Sequence, residues 1–102
     1  MKVVVAPSAR SDILGIWSYI ANDNVAAADR ISERLEETFR LLGPHPHLGE
    51  RCQQYGANLR YVFVDVYVIF YAVDEVAQLV QVKAVIHGAR DLPSELLRRG
   101  LS

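Results

Sequence analysis

The hydrophobic and polar positions of this chain change period along its length. Lys2–Val5 is a short β-branched run closed by Pro7, which predicts an opening strand. Ser8 stands where a helix N-cap is expected. Ala9, Ile13, Ile16, Trp17 and Ile20 then recur at helical spacing as one apolar stripe. Asn22-Asp23-Asn24 interrupts the pattern, and Asn24 can cap a second helix. In that helix Ala27, Ile31, Leu35, Phe39 and Leu42 form the stripe, while Asp29, Arg30, Glu33, Arg34, Glu36, Glu37 and Arg40 cover the other side. Gly43-Pro44 ends it, glycine serving as a left-handed C-cap. A link this short predicts an antiparallel helical hairpin.

Residues 44–57 show neither period and read as a loop. From Leu59 the period is two: Leu59, Tyr61 and Phe63 alternate with Arg60, Val62 and Val64. Asp65-Val66 is a tight connection that lacks the usual glycine. Tyr67–Val73 is continuously apolar, as in a central strand, and Asp74-Glu75 turns the chain again. In the last strand, Gln78–Ile86, the alternation puts Val80, Val82, Ala84 and Ile86 on one face and Leu79, Gln81, Lys83 and Val85 on the other. His87 to Asp91 leaves that strand, and residues 93–97 could open a short tail helix. The predicted order is β-α-α-β-β-β, an α+β domain with a helical hairpin on a small, mainly antiparallel sheet.

Composition narrows the classes. The 102 residues suit a single domain spanning 1–102, and 51% hydrophobic against 23% charged content supports a packed core. The net charge of −1 gives no whole-chain footprint for nucleic acid. One cysteine, Cys52, cannot form an intrachain disulfide, which points to a reducing compartment. Pro7, Ser8 and Arg10 interrupt the N-terminal apolar run too early for a signal peptide. No stretch reaches the ~20 apolar residues that span a bilayer. The expectation is a soluble cytoplasmic protein.

Several ordered pieces carry a family resemblance. They are Asp12–Ala21, Ala27-Ala28-Asp29-Arg30, Pro46-His47-Leu48-Gly49, Leu59-Arg60, Tyr67–Tyr71 and His87-Gly88-Ala89-Arg90-Asp91. In this order and at this spacing the chain resembles the ParE/RelE toxin superfamily of type II toxin–antitoxin systems, nearer the ParE branch. The resemblance implies a toxin neutralised by a ParD-like antitoxin. ParE-type members act as non-enzymatic poisons that trap the cleaved-DNA complex of DNA gyrase. RelE-type members are ribosome-dependent mRNA interferases. A third possibility is a non-toxic binding or co-repressor module of the same fold.

Metal-free RNA cleavage needs a base, an acid and cations for the phosphorane. Aligned on Tyr67–Tyr71 and Gly88–Asp91, the strand positions that carry this machinery in RelE-type enzymes fall at Leu59, Tyr61 and Val68, and the tail tyrosine falls near Leu96. Only Arg90 matches. A second ribonuclease branch uses a Glu, an Arg and a C-terminal His; His87 is available for it, but its middle-strand arginine falls near Val66 or Tyr67. The missing cations favour the gyrase-poison reading, with no catalytic set; were the chain a ribonuclease, Arg90, His87 and Arg60 would serve.

Residue by residue, the alternatives are as follows. His87 and Arg90 are either target-binding residues or, respectively, a strand cap and a local partner of Asp91. Arg60 and Lys83 either join them in a basic patch on the sheet face away from the helices or belong to a solvated strand face. Trp17 is a core residue or a partly exposed anchor for a partner. Leu79 and Val85, on the exposed side of the last strands, are candidates for antitoxin binding, as is Trp17. Asp12 reads as solvated. His45, His47 and Cys52 lack a fourth ligand, so no metal is expected, and no cofactor either. The expected partners are the antitoxin and gyrase, with DNA reached only through the antitoxin and no membrane contact.

Overall fold

The computed structural model describes residues 1–52, 58–90, 92, 94, 98 and 100. Its elements are β1 (Lys2–Val5), α1 (Pro7–Ala21), α2 (Val25–Leu42), β2 (Glu50–Arg51), β3 (Leu59–Val64), β4 (Tyr67–Asp74) and β5 (Leu79–His87). The five strands lie in the order β1-β5-β4-β3-β2, with β1 parallel to β5 and every other pair antiparallel. The expected α+β architecture is therefore present, with β2 added in what read as loop. A two-residue strand is too short to show a period.

The helices cover one face of the sheet. Ala9 and Ile13 of α1 and Leu35, Phe39 and Leu42 of α2 pack with Val64, Tyr67, Ile69, Tyr71, Val73, Val80, Val82 and Val85. In α2, Ala28 is fully buried and Ala27 only half-buried, so the stripe runs one residue from its expected start. A second cluster of Cys52, Leu59, Val68, Phe70, Ala84 and Ile86 lies on the opposite face, with Tyr61 and Leu92 packed against it. β4, the middle strand, feeds both clusters, which is why its sequence is apolar without interruption.

Local signals behave unevenly. The Asn24 side chain accepts from the Ala27 amide, as expected of a cap. Ser8 does not cap α1: Ala6 holds that position, Pro7 opens the helix, and the Ser8 hydroxyl donates to the Lys83 carbonyl of β5. Gly43 is right-handed, with φ −61, rather than a left-handed cap. A Cβ there would come 2.9 Å from the Met1 carbonyl oxygen, so close packing explains the glycine better than backbone freedom. Asp65 takes the left-handed position of the β3–β4 turn at φ 57, a conformation aspartate tolerates. Of the tail helix expected at 93–97, only Ser94 is among the described residues, and it is helical; the others lie outside them.

The largest departure is in β5. The β4–β5 register pairs Phe70 with Ala84 but Tyr71 with Val82, leaving Lys83 as an extra residue. Such a bulge shifts the alternation by one. Val80 and Val82 face the helices before it and Val85 after it, while Ala84 and Ile86 turn to the opposite face. Val85, 3% exposed, thus moves from the expected open surface into the core.

Candidate functional site

The bulge also decides what surrounds the end of β5. Past Val82 the strand loses β1 as a neighbour, because β1 ends at Val5 and the chain turns into α1. Helix α1 runs beside the vacated edge. Its Asp12 carboxylate accepts from the Val85 amide at 2.9 Å, and its Ser8 hydroxyl donates to the Lys83 carbonyl at 2.9 Å. Asp12 is thus not the solvated residue that its position suggested; it anchors the helix to the strand.

Between α1 and the strand ends lies a cleft of about 660 Å³, a size common for ligand sites. The helix lines it with Asp12, Gly15 and Tyr19, and the sheet with Tyr67, His87 and Arg90. Tyr67 is buried and meets the His87 ring edge-on at 5.4 Å between centroids. Burial first, then the nearby Asp65 carboxylate, raises the Tyr67 phenol above its ordinary pKa. Tyr19 is 77% exposed and forms the outer rim. The Ala89 amide donates to His87 Nδ1 at 3.0 Å, so Nδ1 accepts and Nε2 carries the proton of the neutral ring. The Arg90 amide donates to the His87 carbonyl, which folds the chain tightly at the cleft mouth.

His87 and Arg90 are therefore brought together, as their positions at the end of the last strand suggested. Arg60 is not part of that group. It pairs with Tyr71 on the helix-facing side of β3, and its guanidinium donates to the Gly49 carbonyl at 2.8 Å. The Gly49 amide in turn donates to the Tyr71 hydroxyl, which donates to the Pro46 carbonyl. Arg60 thus helps tie the 44–49 segment to the sheet and does not lie on the face away from the helices. Burial raises the Tyr71 phenol, although the Gly49 bond and the Arg60 charge oppose this. Lys83 sits at the bulge, with its carbonyl bound by Ser8. The expected basic patch of Arg60, Lys83, His87 and Arg90 does not form, because Arg60 belongs to the Gly49–Tyr71 cluster and only His87 and Arg90 reach the cleft.

The strand positions aligned with RelE-type machinery are equally distant from such chemistry. Leu59 and Val68 are buried in the cluster opposite the helices. Tyr61 packs against that cluster and donates to Glu50 at 2.8 Å, a bond that, with the Glu50 charge, raises its pKa. Trp17 is half-buried across the hairpin, where its indole N–H donates to Asp29 at 2.8 Å. Leu79 lies at the far end of β5 from the cleft, half-buried and paired with Lys2 and Asp74. Trp17, Leu79 and Val85 do not make one exposed surface, since Val85 is in the core. His47 contacts Glu75 through Nε2 at 2.8 Å, linking its loop to the β4–β5 turn.

Comparison with known proteins adds to this geometry. The chain matches the family described as the ParE toxin of the type II toxin–antitoxin system parDE over residues 3–92. A comparison with curated proteins finds no match. Among solved structures, the chromosomal ParDE toxin–antitoxin system of P. aeruginosa superposes with a TM-score of 0.71 at 13% identity, over 85% of this chain and 95% of that one. The RelBE2 toxin–antitoxin complex of Mycobacterium tuberculosis gives 0.58 at 21% identity, over 84% and 95% respectively.

Proposed function

The chain belongs to the ParE toxin family of type II toxin–antitoxin systems, and from that premise we propose that it is a non-enzymatic toxin that traps the cleaved-DNA complex of DNA gyrase and is held inactive by a ParD-like antitoxin. The observation that carries the gyrase branch is the position of Arg60. A ribonuclease working with Arg90 and His87 needs a further cation at the scissile phosphate. The strand arginine that could supply it is bound to the Gly49 carbonyl in a separate cluster on the helix-facing side. What remains at the cleft is a compact aromatic and cationic group, Tyr19, Tyr67, His87 and Arg90, suited to gripping a protein surface. In this reading the toxin acts as a single domain in the cytoplasm, where gyrase works, and touches DNA only through the antitoxin. No helix among the described residues is long and apolar enough to cross a membrane.

Inducing the chain without its antitoxin tests this. A gyrase poison causes filamentation, DNA breaks and an SOS response. Rapid arrest of translation with mRNA cut within codons would establish an interferase instead, and normal growth would leave a non-toxic binding module.

A further inference from the structure

The sheet has no need of the bulge in β5. The Gly88 amide donates to the Val66 carbonyl, so antiparallel alternation bonds Ile86 to Val68 and Ala84 to Phe70 and turns Val85 to the other edge. Were Lys83 absent, Val82 would lead straight into Ala84 with every partner on β4 unchanged, Tyr71 opposite Val82 and Phe70 opposite Ala84. The core faces would survive as well. Val82 and Val85 would still meet the helices, and Ala84 and Ile86 the opposite cluster. Neither the pairing with β4 nor the core therefore explains the extra residue.

What Lys83 supplies lies on the edge beside α1. There the chain leaving β1 is tied to β5 three times in succession. The Ala6 amide donates to the Val82 carbonyl, the Ser8 hydroxyl to the Lys83 carbonyl, and the Val85 amide to Asp12. From Ala6 to Asp12 is six residues, about 9 Å of helical rise. From Val82 to Val85 is three residues, about 10 Å of strand. The two lengths agree only because Lys83 is there; two strand residues would span about 7 Å. Farther along the same helix, Gly15 and Tyr19 stand across the cleft from Tyr67 and His87.

We infer that the Lys83 bulge is a spacer that brings the edge of β5 into step with the first turns of α1, and that Ser8 and Lys83 are positioning residues for the cleft. By fixing where α1 docks, they set Tyr19 opposite Tyr67 and His87. A bulge beside a functional site commonly has such a part. That the group so arranged acts on gyrase rests on the function proposed above.

The test reads amide hydrogen exchange and gyrase-dependent plasmid cleavage in a chain lacking Lys83, in Ser8→Ala and in Ser8→Thr. Without Lys83 the Ile86 amide, bonded to β4, should keep its protection, while the Val85 amide exchanges about tenfold faster. About tenfold more protein should then be needed for half-maximal cleavage. Ser8→Ala should move both readouts the same way by about threefold, and Ser8→Thr, which keeps the hydroxyl, should restore them. A Val85 amide as protected without Lys83 as with it, or undiminished cleavage by that variant, overturns the inference. Should the Ile86 amide also lose protection, the deletion has disturbed the sheet and the serine variants decide: no change in Ser8→Ala, or no recovery in Ser8→Thr, overturns it too. If the unsubstituted chain yields no cleaved plasmid, the gyrase reading fails, and the exchange of the Val85 amide still decides whether Lys83 is a spacer.

Discussion

Asp12 in the first helix holds the amide of Val85 in the last strand, 73 residues away in sequence, at 2.9 Å. Together with the Ser8 bond to the Lys83 carbonyl, this bond fixes the helix beside a strand edge that β1 has left, at the cleft where His87 and Arg90 sit. Asp12→Ala strands the Val85 amide in a partly covered position and should destabilise the fold by about 1–3 kcal/mol. Asp12→Asn, which keeps an acceptor oxygen, should recover most of that loss. Denaturant unfolding of the two variants checks the order.

Tyr71 and Gly49 form a second anchor. The Gly49 amide reaches the Tyr71 hydroxyl at 2.7 Å, and a Cβ on residue 49 would overlap the Tyr61 carbonyl oxygen. Tyr71→Phe removes an acceptor from a buried amide and should cost about 1–3 kcal/mol. Gly49→Ala should cost more, because backbone must move, and thermal unfolding of both variants gives the comparison.

The tyrosines also set an alkaline limit. Burial raises the Tyr67 and Tyr71 phenols in the fold, and the Glu50 bond raises Tyr61. Each is harder to ionise in the folded than in the unfolded chain. Their contribution is complete below the ordinary phenol pKa of about 10 and is lost as the pH rises through the higher folded values. Stability measured from pH 8 upward should therefore fall beyond about pH 10, and Tyr71→Phe should make that fall shallower. An identical slope in the two proteins would show that Tyr71 takes no part in it.

Arg60 and Arg90 should behave in opposite ways. Arg60→Ala breaks the bond to the Gly49 carbonyl and should lower stability by about 1 kcal/mol while leaving toxicity intact. Arg90→Ala, at the cleft mouth, should abolish growth inhibition. Loss of toxicity in a well-folded Arg60→Ala variant would favour the ribonuclease set.

Much of this was legible in the sequence, for identifiable reasons. The stripe through Leu35, Phe39 and Leu42 and the Asn24 cap report local periodicity and local hydrogen bonding, which sequence encodes directly. The continuous apolar run of β4 reports burial on both faces. Simple alternation puts Val85 on the open face, because the extra residue at Lys83 shifts the alternation without any glycine or proline to mark it. Neither reading of Arg60, basic patch or solvated strand face, anticipates its place beside Tyr71, because that neighbour across the sheet and its acceptor, Gly49, are set by pairing at long range. His87 and Arg90 could be found because they follow the last strand directly, whereas Asp12, Gly15 and Tyr19 enter the cleft only through the docking of α1. An aspartate, a glycine and a tyrosine on the polar side of a helix carry no signal of their own.

The central claim is that the toxin acts on gyrase and not on RNA. The most direct measurement adds purified chain to DNA gyrase, supercoiled plasmid and ATP, and reads the cleaved DNA released by detergent and protease. The account predicts dose-dependent accumulation of linear plasmid, abolished by Arg90→Ala and by prior addition of the antitoxin. No cleaved DNA at any dose, with messenger RNA cut on ribosomes by the same preparation, would contradict it.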